Sequence, residues 1–462
     1  MYDFDLLVIG AGPAGYVGAI RAAQLGARVC LIERAEVGGV CLNKGCIPTK
    51  TLTNLAELLE KSKTFQKLGI RIEGTATPDL ARAMQRKREV VSSLVKGVRA
   101  LLVGRGVTLV KGEAGFADER TVEVRQDGTT QKLSAKKLLI ATGSVASELP
   151  NLPFDGSTVI SSSEALELEN IPGSLLVVGA GAIGCEFAFI FGALGSTVSV
   201  VEIMERALPL EDQEVSSVIE REFKKRRVTL FTSDRIASAS RSGSGVKCTL
   251  SSGKEIEVEK ALISVGRRLN TWELHLEKTG VRCGDRNEIV VNEAMETSTP
   301  GIYAAGDVVG KKMYAHSASR EAIVAVSNAM GHKKVMDYSA VPSCVFTRPQ
   351  VASVGMTEKG AIDKGHQVKV GVFNLRGLGK AHVLDETSGM VKIVADARTD
   401  AVLGVHIVSA HACELIHEGV IAITHGLTAT TLGETIHAHP TLSEAMMEAA
   451  EAVHGLSIHS SG

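Results

Sequence analysis

The chain has 462 residues, which at roughly 100–200 residues per domain points to about three domains. Lys and Arg number 51 and Asp and Glu 52, so the net charge of −1 gives no electrostatic reason to expect nucleic acid or an anionic membrane as partner. Aromatic residues are only 4%, too few for base-stacking platforms, and the 47 glycines follow no G-X-Y period.

The N-terminus, Met1-Tyr2-Asp3-Phe4-Asp5, lacks the basic and apolar regions of a signal peptide, and no apolar run is long enough to span a membrane. Cysteines occur at positions 30, 41, 46, 185, 248, 283, 344 and 413, too sparse for a disulfide scaffold, so a cytoplasmic location is expected.

Phe4 to Ile9 reads as a strand that runs into Gly10-Ala11-Gly12-Pro13-Ala14-Gly15. A helix follows over Tyr16–Leu25, and a second strand, Arg28–Ile32, ends at Glu33. Each part has a task in binding a dinucleotide. Gly10 permits the tight turn, Gly12 lets a pyrophosphate approach the backbone, and Gly15 allows helix and strand to pack closely. The helix N-terminus offers N–H groups to phosphate, and Glu33 accepts from ribose hydroxyls.

The next signal is Gly38-Gly39-Val40-Cys41-Leu42-Asn43-Lys44-Gly45-Cys46-Ile47-Pro48. In an ideal helix, residues i and i+5 have Cα atoms roughly 8–9 Å apart, too far for a disulfide. A bond between Cys41 and Cys46 therefore requires a bend, which Asn43 and Gly45 would permit. Pro48 suits a first helical turn, with the helix continuing to about Ser62. Cys46 would then sit at a helix N-terminus, where the dipole favours thiolate. A redox-active disulfide, a metal site and two inert thiols are the readings available. No second close cysteine pair exists and the first His is His275, so zinc lacks its usual four ligands and no metal is expected.

The first unit then recurs. Ser174–Val178 is a strand, Gly179-Ala180-Gly181-Ala182-Ile183-Gly184 a loop, Cys185–Leu194 a helix, and Thr197–Val201 a strand ending at Glu202. Gly15 to Glu33 and Gly184 to Glu202 both span 18 positions. Two matched units mean two dinucleotide sites, such as a flavin and a nicotinamide exchanging electrons. Glu202 accepts from a ribose 2′-OH and repels a 2′-phosphate, which favours NAD over NADP, with Arg206 the nearby cation. Each unit closes on a strand and a glycine, Lys137 to Gly143 and Lys260 to Gly266, and a further Gly306-Asp307 follows a strand. The chain thus starts one nucleotide domain, inserts another, and returns to the first.

Beyond Val345-Phe346-Thr347 lies a strand-rich α+β region. It holds eight of the thirteen histidines if counted from residue 400, and the informative stretch is His437-Ala438-His439-Pro440-Thr441-Leu442-Ser443-Glu444. His439 and Glu444 can form an oriented His–carboxylate pair, a base suited to thiol chemistry near neutral pH. His411, His417 and His425 read as structural.

The cysteine segment, the Gly179–Gly184 loop with Glu186, Val265-Gly266-Arg267-Arg268, Gly306-Asp307 and His437–Glu444 together resemble the FAD-dependent pyridine nucleotide–disulfide oxidoreductases. The likeness is to the branch that oxidises dihydrolipoamide, and it runs from Asp3 to about Val453. It implies an α/β fold of two Rossmann-like domains and a C-terminal α+β dimerisation domain. FAD would be bound by 1–144 and 268–335, NAD by 145–267, and the dimer formed by 336–462. FAD would lie on Gly10, Gly12 and Gly15, with Glu33 on its ribose. Ala114, Ala141, Thr142 and Gly143 would lie beneath it, and Asp307 at the ribityl chain. Met313, Tyr314, Ala315 and His316 would line the flavin, which Lys50 would approach while pairing with Glu186. NAD would lie on Gly179, Gly181 and Gly184, with Glu202 and Gly266.

The resemblance also implies a Cys41–Cys46 disulfide, with Cys41 the outer thiol that meets substrate and Cys46 the inner one. His439 would be the base and Glu444 its partner, serving the site of the other subunit of a homodimer. The substrate would be the dihydrolipoamide of a lipoyl-bearing protein, an acyltransferase or a glycine-cleavage carrier. Lys44, Leu269, Gln350 and the run His316–Glu321 depart from the commoner pattern. A mercuric-reductase-like or large thioredoxin-reductase-like enzyme would need cysteines after Cys413. A glutathione-reductase-like enzyme would need basic residues near Glu202, and a non-catalytic redox sensor would not need His439 and Glu444.

Overall fold

The computed structural model describes residues 1–243 and 245–460; the last two residues of the region expected to run to 462 lie outside it. The chain forms two compact units. The first comprises Met1–Thr51, Ala81–Ser147 and Gly266–Tyr338; the second comprises Leu52–Leu80, Glu148–Val265 and Ser339–Gly462.

The first unit is built on a sheet whose parallel strands run Thr108–Lys111, Val29–Glu33, Phe4–Ile9, Thr129–Ile140 and Ile302–Ala304. Thr121–Gln126 pairs antiparallel with the first part of Thr129–Ile140, and Glu113–Phe116 pairs antiparallel with Thr121–Gln126. Leu6, Leu7, Val8, Leu31, Leu138, Leu139 and Ile140 are fully buried. That is why these segments read as unbroken apolar runs: a parallel sheet is covered on both faces. The expected strand Phe4–Ile9 is found as such, and the helix occupies Pro13–Gln24. Ile302–Ala304 joins this sheet late in the chain: Ile302 pairs with Leu138.

The second unit contains a parallel sheet ordered Thr229–Phe231, Thr197–Val201, Ser174–Val178, Lys260–Ile263 and Val159–Ile160. A three-stranded antiparallel sheet, Ile236–Ser242, Gly245–Leu250 and Glu255–Val258, lies in the same stretch of chain. The C-terminal part is a five-stranded antiparallel sheet ordered Ser343–Val345, Gln350–Gly355, Val402–Ser409, Met390–Asp396 and Val368–Asn374. The helix Glu444–Ala452 lies on its edge strand, where a Cβ at Gly371 would stand 2.1 Å from the Ala449 carbonyl oxygen. This is the expected α/β architecture with a C-terminal α+β region.

A buried ion cluster ties the C-terminal sheet to the helix Gln213–Lys225. Lys392 Nζ, fully buried, donates to Asp212 at 2.9 Å, Glu214 at 2.7 Å and Glu358 at 2.7 Å. Asp212 also caps that helix through Glu214 N–H. Among the described residues no helix is long and apolar enough to cross a membrane.

Candidate active site

The two glycine loops repeat one another bond for bond. Gly10 N–H donates to Ile32 O and Gly179 N–H to Val201 O, both at 2.8 Å. Gly10 has φ +96° and Gly179 φ +100°, the left-handed turn that only glycine adopts without strain. A Cβ at Gly15 would lie 1.7 Å from Gly10 O, and one at Gly184 1.9 Å from Gly179 O. Gly12 and Gly181 cap their helices at φ −68° and −72°, and neither helix has a side-chain cap. The N-terminal amides at both places are thus the donor set an anion needs.

The acids match too. Glu33 accepts from Ala11 N–H at 2.7 Å and Ala35 N–H at 2.8 Å. Glu202 accepts from Ala180 N–H at 2.6 Å and Met204 N–H at 2.8 Å. Each carboxylate is therefore locked to its own loop and keeps lone pairs for a ribose. Arg206 is turned to Glu205 at 2.8 Å and to the Pro209 carbonyl, so the nearby cation is engaged elsewhere.

The cysteines sit directly against the first loop. Gly38 N–H donates to Ala11 O at 2.7 Å, and a Cβ at Gly39 would stand 2.6 Å from the Gly12 Cα. From this contact a short helix, Gly39–Lys44, carries Cys41, and a second helix, Cys46–Ser62, begins with Cys46. The break falls at Gly45, where a Cβ would crowd the Val40 carbonyl oxygen at 3.1 Å. Asn43 does not make the bend. It lies inside the first helix and donates to Val37 O at 3.0 Å and Gly39 O at 2.9 Å, so its polar side chain fastens the helix to the glycine turn.

Cys41 is half-buried and Cys46 exposed. They are hydrogen-bonded to one another. That bond and burial raise Cys41 well above the ordinary thiol range, while the nearby Lys50 charge opposes the rise. Tyr16, on the helix of the first loop, is raised by burial and by the Cys41 charge. The other cysteines are apart: Cys30, Cys185, Cys248 and Cys413 are buried, Cys344 is half-buried and Cys283 exposed.

Ala141 and Thr142 approach the first loop: a Cβ at Gly10 would stand 2.4 Å from the Ala141 carbonyl oxygen and 3.2 Å from the Thr142 Cα. Ala141 is buried, and its N–H donates to Ile9 O at 2.8 Å. Thr142 Oγ1 donates to Asn270 O at 2.7 Å, and Gly143 follows at φ +69°. Ala114 lies on the Glu113–Phe116 strand. Asp307 accepts from Ser144 Oγ at 2.5 Å, and Arg267 Nε donates to the same Ser144 oxygen at 2.6 Å while standing 3.6 Å from Asp307. Met313 is exposed, Tyr314 and His316 stack with ring centroids 5.2 Å apart, and Ala315 starts the helix Ala315–Ala329. Ser144 was not singled out in the sequence, and Arg267 entered only within the Val265–Arg268 segment; the local signal of each is adjacency to Gly143 or Gly266.

In the second unit Glu186 is buried and accepts from Phe346 N–H at 2.9 Å. Gly266, in the first unit, has φ +130°. Of the sequence departures, Gln350 accepts from Cys413 N–H at 3.3 Å, and Leu269 is simply buried.

His439 Nδ1 lies 2.8 Å from Glu444 Oε1, and Glu444 Oε2 accepts from Thr441 N–H at 2.8 Å. Burial pushes Glu444 up, but the Thr441 and His439 bonds outweigh it and hold the carboxyl below its usual range. A carboxylate on Nδ1 fixes the tautomer that leaves Nε2 as the basic atom. The His439 side chain is 76% exposed, so that nitrogen faces outward from this chain. His437, two residues earlier, points both ring nitrogens at oxygens, Thr435 O at 2.7 Å and Glu418 Oε2 at 3.1 Å.

Residues 4–322 match the family model described as pyridine nucleotide-disulphide oxidoreductase, and residues 341–450 match the dimerisation domain of that family. The chain is 43% identical to the dihydrolipoyl dehydrogenase of Thermus scotoductus over 465 aligned positions, covering 99% of each. It is 40% identical to that of Geobacillus stearothermophilus, covering 99% of this chain and 97% of the relative. The crystal structure of LpdA from Mycobacterium tuberculosis superposes with a TM-score of 0.91 at 30% identity, over 96% of this chain and 99% of that one. Paired glycine loops, a cysteine pair on the first of them and full-length similarity agree: the chain belongs to the pyridine nucleotide-disulphide oxidoreductase family.

Proposed function

We propose that this chain is a dihydrolipoyl dehydrogenase, oxidising the dihydrolipoamide of a lipoyl-bearing protein and reducing NAD⁺. The observation that carries the reading is the Cys41–Cys46 contact at a broken helix, seated on the first glycine loop by Gly39. FAD is assigned to residues 1–144 and 268–335, NAD to 145–267, and the dimer contact to 336–462. The two loops fit such groups: both helix N-termini lack a side-chain cap, and a Cβ at Gly181 would meet nothing within 4 Å.

FAD is held by Gly10, Gly12, Gly15, Glu33, Lys50, Ala114, Ala141, Thr142, Gly143, Asp307 and the Met313–His316 segment. NAD is held by Gly179, Gly181, Gly184, Glu186, Glu202 and Gly266. When bound, FAD would take two electrons from the reduced cysteine pair and pass them to NAD⁺.

The chain's own residues carry the thiol chemistry. His439 Nε2 takes the proton of one substrate thiol. The thiolate attacks Cys41 Sγ, the Cys41–Cys46 bond breaks, and Cys46 leaves as thiolate at the start of its helix. The second substrate sulfur then attacks the mixed disulfide, closing the lipoamide ring. Cys41 leaves and takes up the proton given up by that second substrate thiol, while the first proton remains on His439. The raised Cys41 thiol fits that ending, since it keeps its proton while charge collects on Cys46. Glu444 holds the His439 ring throughout, and the pair serves the disulfide of a second copy. The partner is a lipoyl domain of an acyltransferase or glycine-cleavage carrier, met in the cytoplasm, and the sparse cysteines accord with that compartment.

The test is a steady-state assay with free dihydrolipoamide, glutathione and mercuric ion, each with NAD(H) and NADP(H). Fastest turnover with dihydrolipoamide and NAD⁺ is expected. Faster turnover of glutathione or mercuric ion with NADPH would overturn the reading.

A further inference from the structure

Glu321 is a fully buried carboxyl on the helix Ala315–Ala329. Its Oε2 accepts from Gly306 N–H at 2.6 Å and its Oε1 from the Tyr338 hydroxyl at 2.7 Å. Gly306 has φ +84°, and a Cβ there would stand 3.2 Å from the Ala14 Cβ and 3.5 Å from the Ala318 Cβ. The turn is thus wedged between the helix of the first glycine loop and the helix that carries Glu321. The next residue is Asp307, oriented on its other side by Ser144 and Arg267.

Both donors to Glu321 are neutral. A glutamine would satisfy the same two groups, with its oxygen toward Gly306 and its amide toward Tyr338, and would carry no ionisation cost. The carboxyl therefore brings something that hydrogen bonding alone does not require. We propose that Glu321 is a positioning residue that, with Tyr338, holds the Gly306–Asp307 turn in the shape that receives FAD, and that its charge state tunes how tightly FAD is held.

Burial pushes the Glu321 carboxyl up to about 7, with the Asp307 charge adding to the rise while Tyr338, Gly306 and Lys311 oppose it. Tyr338 is itself raised by burial and by Glu321. Lys311 lies over the Tyr338 ring, 4.9 Å from its centroid. The packed helix Pro13–Gln24 brings Tyr16 and Arg21, the strand Ile302–Ala304 brings Tyr303, and Glu321's own helix carries His316 and Arg320. Below neutrality Glu321 is uncharged and Asp307 is the one anion at the turn. Above it, a second negative charge stands behind Asp307 and faces a site for an anionic pyrophosphate. FAD is therefore held more tightly at pH 6 than at pH 8.

The inference rests on the reading of Asp307 as an FAD contact. The experiment measures FAD dissociation from the holoenzyme by fluorescence of flavin released on ultrafiltration, at pH 6 and pH 8. In the wild type the dissociation constant rises several-fold across that range. Glu321→Gln keeps tight binding and removes the pH step. Glu321→Ala leaves a buried amide unsatisfied and weakens FAD binding about tenfold or more. Tyr338→Phe removes a bond that holds Glu321 down, so the pH step moves upward while FAD stays bound, and a downward shift overturns the inference; where Glu321→Ala fails to fold, it and Glu321→Gln carry the test. An unchanged pH step in Glu321→Gln, or wild-type affinity in Glu321→Ala, overturns the inference. Wild-type affinity in Asp307→Asn instead overturns the reading of Asp307, whichever way the Glu321 variants behave.

Discussion

The Gly10–Gly15 and Gly179–Gly184 loops have the same turn, the same helix cap and the same carboxylate bonds, and differ in what is built against them. At the first, Gly39 stacks on Gly12 and delivers two cysteines. At the second, the corresponding glycine, Gly181, is open, with nothing within 4 Å of its Cβ position. On the proposed reading one loop geometry serves two purposes: alone it is a place for a coenzyme, and with a second glycine pair packed on it, it is the base of a redox centre.

Substitutions that touch one loop and spare the other break this comparison most sharply. Cys41→Ser should lower dihydrolipoamide:NAD⁺ turnover by more than about 10³-fold while leaving NADH binding, read by fluorescence quenching, unchanged. Gly39→Ala comes next. It places a methyl 2.6 Å from the Gly12 Cα at a residue with φ +58°, and both the contact and the conformation are unfavourable. It should cost on the order of 100-fold in turnover, with flavin lost on gel filtration. Gly181→Ala at the second loop has room and an ordinary φ of −72°. It should fold normally, keep its flavin, and raise the NAD⁺ KM about tenfold, because the methyl stands only where a pyrophosphate must approach. Equal effects of the two alanines would erase the distinction between the loops.

Smaller effects sharpen the chemistry around them. Glu444→Gln should lower kcat roughly tenfold, since the His439 ring loses the carboxylate that orients it. Glu444 is held below its usual range, so its support of the fold is present above about 4.5 and is lost as acid protonates it below that. Glu321 has the opposite sign. Its folded value of about 7 lies above the unfolded 4.5, so the neutral form is favoured by folding. That contribution is complete below 4.5 and is lost as pH rises through about 7. Glu321→Gln should therefore gain thermal stability relative to wild type, growing from pH 4.5 and reaching roughly 3 kcal/mol at most above about 7.

The glycine loops were legible in the sequence because steric necessity writes itself locally: Gly10 and Gly15 have no alternative residue, and the spacing to Glu33 repeats at Glu202. The His439–Glu444 pair was legible for a similar reason, since five residues suffice to bring the two side chains together. The bend between the cysteines was half legible. Gly45 makes it, whereas Asn43 fits a bend by residue type yet is used here to bond Val37 and Gly39. Ser144, Arg267 and Asp307 converge from three distant stretches, and Glu321 meets Tyr338 only through the tertiary fold. The Lys392 cluster is the extreme case, a lysine in a strand-like apolar run whose three acidic partners lie 34 to 180 residues away. No local pattern encodes such partners, because the fold alone sets their distance.

The most direct test of the account is a count of protein thiols under denaturing conditions, before and after one equivalent of dihydrolipoamide is added anaerobically to the oxidised holoenzyme and the small molecules are removed by acid quench and desalting. With eight cysteines in the chain, six reactive thiols are predicted before and eight after, and mapping should place the two new ones at Cys41 and Cys46. The same number before and after, or new thiols at other positions, would contradict a redox disulfide seated on the first glycine loop.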